Sequence, residues 1–159
     1  MDIQPIGRVR SAHTEQTGTP IQPAFGDADE TTRLEIDAPY REALLDLAGF
    51  SRIWVLAWLD RAPDFRKRVV PYRDTEERGL FATRAPCRPN PIGLSCVELR
   101  GVDLEHGVLT VGASDLLDGT PVIDVKPYVP AVDAFPEAAS GWFGDGSQGA
   151  HHADDRFAP

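Results

Sequence analysis

Short apolar stretches separated by turn residues run along this chain, and their spacing constrains the fold more than any other feature. Seven stretches predict β-strands, because apolar residues alternate or cluster in them: Ile3–Val9, Arg33–Ile36, Ser51–Leu59, Gly79–Thr83, Ile92–Leu99, Val108–Gly112 and Pro121–Val125. Pro39–Leu47 has helical spacing instead. Strands and helices do not alternate, which disfavours a doubly wound nucleotide-binding fold. The pattern favours a barrel or a strongly curved sheet, and we predict a mainly β fold: a small β-barrel of six to seven strands with one short helix.

A chain of 159 residues has the usual length of one domain. We expect residues 1–136 to form that domain, with Ser51–Leu59 buried on both faces. Residues 137–159 are rich in Gly, Ser and Asp, which predicts a weakly ordered tail. Trp142 and Phe143 are apolar exceptions within this tail. They are expected to pack either on the domain or on a partner chain.

No apolar run approaches the roughly 20 residues that cross a bilayer. The amino-terminal residues also lack the basic and apolar regions of a secretion signal. Both observations predict a cytoplasmic protein that does not associate with a membrane. The chain has two cysteines, Cys87 and Cys96, and four histidines without metal-ligand spacing. Neither a disulfide framework nor a metal site is therefore expected.

The formal net charge is −9, which makes the whole chain a poor default binder of phosphate backbones. The arginines and lysines nevertheless concentrate in the middle third, between residues 52 and 100. Two interpretations stay open. The middle third forms a local basic surface on an acidic body, or its charges belong to ordinary solvated faces.

The segment Phe81–Ser95 (FATRAPCRPNPIGLS) has its backbone stiffened by three prolines. The residue before each proline is pushed towards extended geometry, so little conformational entropy is left to lose on binding. Arg84 and Arg88 carry guanidinium groups that suit carboxylates or phosphates, although surface or fold-stabilising ion pairs would explain them equally well. Asn90 has an amide suited to the edge of a base or an exocyclic amine. Its alternative role is to cap a turn.

The segment Gly112–Tyr128 contains three aspartates, Asp115, Asp118 and Asp124, together with Lys126. Asp118 precedes a glycine and is expected at the tip of a turn. Asp124 and Lys126 lie two residues apart and therefore on one face of a strand. They form either a structural ion pair or part of a site. The three aspartates would suit a metal ion, but a metal would leave the stiff arginine-containing loop unexplained.

These two segments, with the opening PIGRVRS and the strand FSRIWVL, resemble the TsaA/TrmO family. The resemblance runs from about Ile6 to Asp133 and is to the short, single-domain members. It implies a compact β-barrel methyltransferase that acts as a homodimer and uses S-adenosyl-L-methionine. The implied activity is N6-methylation of the threonylcarbamoyl-modified adenosine beside the tRNA anticodon.

The resemblance also implies roles for individual residues. Cofactor contacts would come from Pro20, Ile21, Gln22, Asp60, Arg61, Arg84, Leu94, Gly112, Ala113, Ser114 and Asp115. Catalytic roles would fall on Asn90, Asp118, Thr120 and Lys126. Substrate contacts would come from Arg88 and Tyr128. The expected reaction is direct methyl transfer, in which Asp118 or Asn90 accepts a hydrogen bond from the attacking amine.

Two positions depart from the family pattern. The family often has arginine where this chain has Ile21, and histidine where it has Arg52. These departures and the acidic balance motivate two alternatives to a tRNA methyltransferase. The first is a methyltransferase of the same fold that acts on a small molecule or a protein. The second is a non-catalytic S-adenosyl-L-methionine-binding regulator.

Overall fold

A computed structural model of the protein describes residues 2–144 and 148–158. Its strands are β1 (Gly7–Arg10), β2 (Thr32–Ile36), β3 (Arg52–Trp58), β4 (Arg68–Val69), β5 (Arg78–Gly79), β6 (Ile92–Asp103), β7 (Val108–Val111) and β8 (Pro121–Pro127). One α-helical turn, α1, spans Pro130–Asp133. Short 3₁₀ helices lie at Pro23–Phe25, Ala38–Leu44, Leu47–Gly49, Leu80–Ala82, Gly141–Phe143 and Asp155–Phe157.

Six of these strands close into an antiparallel barrel with the order β1-β2-β7-β6-β3-β8. The barrel closes where β8 returns to β1, with Gly7 opposite Val122. β4 and β5 pair with each other outside the barrel. The predicted mainly β barrel is therefore confirmed.

Alternation of apolar residues along the strands builds the barrel core. In β3, Ile53, Val55 and Ala57 point inward and are fully buried. The intervening residues of β3, such as Trp54 and Leu56, are only half-buried on the outer face. The prediction that this strand is buried on both faces is thus wrong, because no second layer covers its outer face within the described residues.

β3 and β6 are direct neighbours in the barrel, paired from Arg52 opposite Glu98 to Trp58 opposite Ile92. Residues 59–91 connect them and form a long excursion from the barrel, which carries β4, β5 and the proline-rich loop. A second, smaller core lies beneath this excursion. It consists of Val69, Leu80, Ala85, Cys87 and Phe157.

Two local predictions differ from the structure. Gly79–Thr83 was expected to be a strand, but β5 ends at Gly79 and a 3₁₀ turn follows. The turn directs Leu80 into the second core, and the Thr83 N–H and hydroxyl close it onto the Leu80 carbonyl. Pro39–Leu47 was expected to form a short helix, and a short helix is present as a 3₁₀ helix over Ala38–Leu44, but it ends before Leu47 and is followed by Asp46, whose φ is 65°. A segment this short gains too little burial to stabilise an α-helix.

The expectation of a weakly ordered tail is wrong for residues 148–158. Ala153 exchanges backbone hydrogen bonds with the loop near residue 19, accepting from Gly18 N and donating to Thr19 O at 2.8 Å each. Phe157 is 2% exposed in the second core. The apolar residues of this segment therefore anchor it despite its polar composition. Residues 145–147 and 159 of the predicted tail lie outside the described residues, and the domain division at residue 136 stays a prediction.

Trp142 and Phe143 pack on the domain in the structure. The Trp142 indole donates to the Ala82 carbonyl at 2.6 Å. The Arg73 guanidinium lies over the Phe143 ring, 5.0 Å from its centre, and also over the Phe25 ring. Within the described part of the chain, no helix is long and apolar enough to span a bilayer.

Candidate functional site

A cleft of about 330 Å³ opens between the first long loop, the excursion and the loop that follows β7. Its walls include ten of the residues predicted to bind or act on ligands: Pro20, Ile21, Gln22, Asp60, Arg61, Arg84, Arg88, Leu94, Asp115 and Thr120. Arg84 and Asp115 come from the two distinct sequence segments and share this cleft. The barrel thus brings the two segments together.

Asp115 lies in the cleft and contacts the barrel interior through Ser95. The Ser95 hydroxyl donates to Asp115 Oδ1 at 2.5 Å. Burial raises the pKa of Asp115 to about 6, while the Ser95 hydrogen bond and the charge of Arg84 oppose that rise. A carboxyl group with a pKa in this range changes protonation close to neutral pH, which is common in functional sites.

Arg84 extends from the proline-rich loop towards the first long loop, and its side chain is exposed. Its guanidinium donates a hydrogen bond to the Gln22 side-chain carbonyl. A guanidinium held in this way still has further N–H groups, which suits it to bind a carboxylate or phosphate.

Arg61 fixes the turn after β7. Its Nη2 donates to the Asp118 carbonyl at 2.7 Å and to Thr120 Oγ1 at 3.0 Å. Gly119 between them has a φ of 78°, a conformation that favours glycine. Arg61 therefore positions Thr120, a buried residue of the cleft wall.

Arg88 stabilises its own loop. It donates to the carbonyls of Thr83 and Ala85 at 3.0 and 3.3 Å, and its guanidinium lies 5.5 Å from the centre of the Phe81 ring. These contacts hold the proline-rich loop in shape beside the cleft.

Seven predicted residues do not line the cleft. Gly112, Ala113 and Ser114 precede Asp115, and Ser114 is buried with its hydroxyl accepting from Leu116 N. Asn90 is exposed on the proline-rich loop, and Asp118 Oδ1 accepts from Ser11 N at 3.1 Å.

The other two, Lys126 and Tyr128, lie at the end of β8, away from the cleft. Lys126 pairs with Asp124 at 2.8 Å, and the Tyr128 ring packs edge-on against Trp54. The Lys126–Asp124 ion pair is the structural alternative considered from the sequence.

Several cleft residues were missed by sequence reasoning. Ser95 was detectable, because it lies two residues from Val97 and shares its inward-facing side of β6. Gln16, Tyr72 and Ala153 also line the cleft. They are brought there by contacts between distant parts of the chain, for which the sequence contains no local signal.

The cleft fits the cofactor that the family resemblance implies. Its volume falls within the range of small-molecule pockets. Ile21, Leu59 and Leu94 supply apolar surface for an adenine ring, and Arg84 suits a carboxylate. The carboxyl groups of Asp60 and Asp115 suit the cationic parts of the molecule. No cluster of three His, Cys, Asp or Glu side chains able to hold a metal ion occurs among residues 2–144 and 148–158.

Comparison with known proteins identifies relatives along most of the chain. An S-adenosyl-L-methionine-binding protein of Archaeoglobus fulgidus is 44% identical over 133 residues, covering 84% of this chain and 93% of that protein. The tRNA (adenine(37)-N6)-methyltransferase of Escherichia coli K12 is 37% identical over 148 residues, covering 88% of this chain and 63% of that protein. A further A. fulgidus relative, described as a probable S-adenosyl-L-methionine-binding protein, is matched over 38% of its length.

Solved structures give the same relationship. The crystal structure of TrmO from Pseudomonas aeruginosa has a TM-score of 0.74 and 39% identity, with 89% of this chain and 62% of that chain covered. The family model for the tRNA-methyltransferase O N-terminal domain matches residues 8–134. The family resemblance seen in the sequence is thereby confirmed, and the chain belongs to the tRNA-methyltransferase O N-terminal domain family.

Proposed function

We propose that this protein is an S-adenosyl-L-methionine-dependent methyltransferase that N6-methylates threonylcarbamoyl-adenosine next to the tRNA anticodon. The observation that carries the proposal is the shared cleft of Arg84 and Asp115, which joins the two family segments in one binding site. The relatives named as tRNA (adenine(37)-N6)-methyltransferases support the reaction.

The bound cofactor would supply an electrophilic methyl group, and the protein's main contribution would be placement. Near-attack positioning alone lowers a barrier by about 7–11 kcal/mol. Arg84, at the cleft mouth, binds the carboxylate of the threonylcarbamoyl group, while Arg61 keeps Thr120 and the turn at Asp118 in position. Asn90, exposed on the adjoining loop, accepts a hydrogen bond from the acceptor amine and orients its lone pair.

Binding of tRNA to an acidic protein requires a local basic surface. Arg66, Lys67 and Arg68 are exposed on the excursion that also carries Arg84 and Arg88. These cations would contact phosphates beside the cleft. Affinity for tRNA is then expected to fall steeply with salt, since counterions are released on binding.

The homodimer and the cytoplasmic location are parts of the same proposal. On the outer face of β3 and β6, the half-buried side chains of Trp54, Leu56 and Cys96 form an apolar surface outside the cleft lining. A second copy covering this face would also contact Lys126 and Tyr128, which would explain why they lie away from the cleft of their own chain.

Sedimentation of wild type and Leu56→Arg tests the dimer, with a monomer expected for the variant. A wild type that sediments as a monomer contradicts the dimer. The proposed cytoplasmic location follows from the proposed tRNA substrate.

A regulator that binds S-adenosyl-L-methionine without turnover is a second candidate. It is favoured by relatives described as S-adenosyl-L-methionine-binding proteins. It predicts cofactor binding with no methylation of any acceptor. A small-molecule or protein methyltransferase, suggested by the net charge of −9, predicts methylation that excludes tRNA.

Calorimetry with S-adenosyl-L-methionine, followed by mass spectrometry of nucleosides from treated tRNA, separates these candidates. We expect cofactor binding and a methyl group on the modified adenosine. Asn90→Ala should lose turnover and keep cofactor affinity, while Phe135→Ala, at an exposed position outside the cleft, should change neither. If the protein binds S-adenosyl-L-methionine but the tRNA contains no methylated nucleoside, the candidates that remain are the regulator and a methyltransferase acting on a small molecule or a protein. If the protein does not bind S-adenosyl-L-methionine, the proposed function is refuted.

A further inference from the structure

A second cleft, of about 570 Å³, adjoins the first and shares one of its walls. The shared wall consists of Ile21, Gln22, Thr83, Arg84 and Ala85, with Tyr72 also facing both spaces. A molecule in the second cleft would therefore lie against the opposite side of the wall that borders the first. Arg84 is placed to contact ligands in both clefts.

Aromatic side chains line the second cleft. Phe81 is 77% exposed and Phe143 is 41% exposed, so both rings present accessible surface to this cleft. The neighbouring Trp142 is fixed by its hydrogen bond to the Ala82 carbonyl, and Phe143 is held under the Arg73 guanidinium. Rings held in place in this way provide stacking surfaces for a flat ligand at little entropic cost.

The charge of the second cleft is opposite to that of the chain. Its described lining contains the cations Arg73 and Arg84 and no aspartate or glutamate. Arg73 is engaged with the rings of Phe25 and Phe143 and with the carbonyls of residues 148 and 150. Arg84 is exposed at the junction of the two clefts and donates to Gln22. An anionic group on the ligand would thus be directed towards Arg84.

We infer that the second cleft binds the methyl acceptor as a purine nucleoside, with its base stacked on Phe81 or Phe143 and a carboxylate substituent bound by Arg84. This inference rests on the proposed function, in which the first cleft binds the cofactor. The wall from Ser140 to Phe143 lies beyond residues 8–134, which the family model matches. The acceptor site therefore combines family residues with a segment outside the family match.

Binding of free nucleosides tests the inference without requiring turnover. The probes are N6-threonylcarbamoyladenosine and adenosine, each titrated by calorimetry into the protein saturated with S-adenosylhomocysteine. Wild type is expected to bind the carboxylated nucleoside at least tenfold more tightly than adenosine. Phe81→Ala and Phe143→Ala should each weaken its binding roughly tenfold, the effect of losing one base–aromatic stacking contact. Phe135→Ala, exposed outside both clefts, should bind like wild type.

The affinity for S-adenosyl-L-methionine, measured on the same variants, should stay within twofold of wild type. Wild-type affinity for the nucleoside in both variants would overturn the inference, and so would equal binding of the two nucleosides. A loss confined to cofactor affinity would assign the second cleft to the cofactor instead. Failure of the proposed function has a different signature, because wild type would then bind no S-adenosyl-L-methionine or methylate no tRNA.

Discussion

Ser95 and Asp115 face each other across the inner end of the main cleft, with Ser95 Oγ 2.5 Å from Asp115 Oδ1. Ser95 belongs to β6, and Asp115 follows β7, the strand paired with β6. This pair couples the barrel interior to the site. It also keeps a titratable group in surroundings where charge is disfavoured, and this has a measurable consequence for stability.

Asp115→Asn should change how stability depends on pH. Burial raises the pKa of Asp115 from 3.8 to about 6, so the folded protein binds this proton more tightly than the unfolded chain. The carboxyl group therefore favours folding most below pH 4, and this contribution decreases as the pH rises to about 6. The shift corresponds to about 3 kcal/mol. Urea unfolding from pH 4 to 8 should show Asp115→Asn gaining stability relative to wild type across that window.

Asp103→Asn is the matched control for this series, and its stability relative to wild type should stay nearly constant from pH 4 to 8. Hydrogen bonds from the His106 backbone and side chain lower the pKa of Asp103. Its stabilising contribution is therefore present above its unfolded pKa and lost as the pH falls. A flat difference between wild type and Asp115→Asn over pH 4 to 6 would show that this carboxyl group is not desolvated.

Arg61→Lys should weaken binding of S-adenosyl-L-methionine on the order of tenfold, the effect of losing about one hydrogen bond. A lysine is a poor substitute because it lacks the planar fork of arginine at a site where one nitrogen bridges Asp118 O and Thr120 Oγ1. Calorimetry measures the affinity. Arg68→Lys, at an exposed ion pair with Glu77, should bind the cofactor like wild type. Equal affinities in both variants would exclude a positioning role for Arg61.

Phe157→Ala should lower the free energy of unfolding by about 3–5 kcal/mol, as expected for removal of a buried phenylalanine. Phe157 is 2% exposed and packs edge-on against Tyr72, a residue of the cleft wall. Denaturant unfolding measures the loss. Phe135→Ala, 73% exposed, should change stability by no more than about 0.5 kcal/mol. A small effect at Phe157 would mean that residues 148–158 do not hold the second core together.

Thr32→Val should stabilise the protein by about 1 kcal/mol. Among the described residues, Thr32 Oγ1 is a buried side-chain atom without a hydrogen-bond partner, and Thr32 is 0% exposed in β2. Valine has nearly the same shape and removes the desolvated hydroxyl. Thermal or urea unfolding measures the gain, and Thr17→Val, at an exposed loop position, should show none. A destabilised Thr32→Val would indicate that a buried water satisfies the hydroxyl.

The barrel strands were predictable because each has a local pattern. Ser51–Leu59 contains β3, and Ile92–Leu99 contains the first part of β6, in which inward residues alternate with outward ones. Pairing of β1 with β8 is not local, and the strand spacing and the family resemblance predicted a barrel without predicting that pairing. Local patterns failed at Gly79–Thr83, where burial of Leu80 in the second core outweighs the tendency to extend.

Part of the site was predictable for a different reason. Arg84 and Asp115 stand in the two dense motifs that carry the family resemblance, and both line the cleft. The contribution of Ala153 and Phe157 was not predictable. A polar, glycine-containing segment resembles a disordered tail until its few apolar residues find a distant core, and that depends on contacts between residues that are 70 or more positions apart in the chain.

The excursion at residues 59–91 leaves and re-enters the barrel between two strands that already pair with each other. The pairing of β3 with β6 fixes both its ends, whatever the excursion contains. Insertions or exchanges within it can therefore accumulate without breaking the strand register. Descendants of one barrel can in this way acquire new ligand preferences by replacing a single connection, since Asp60, Arg61, Arg84 and Arg88 would be exchanged together.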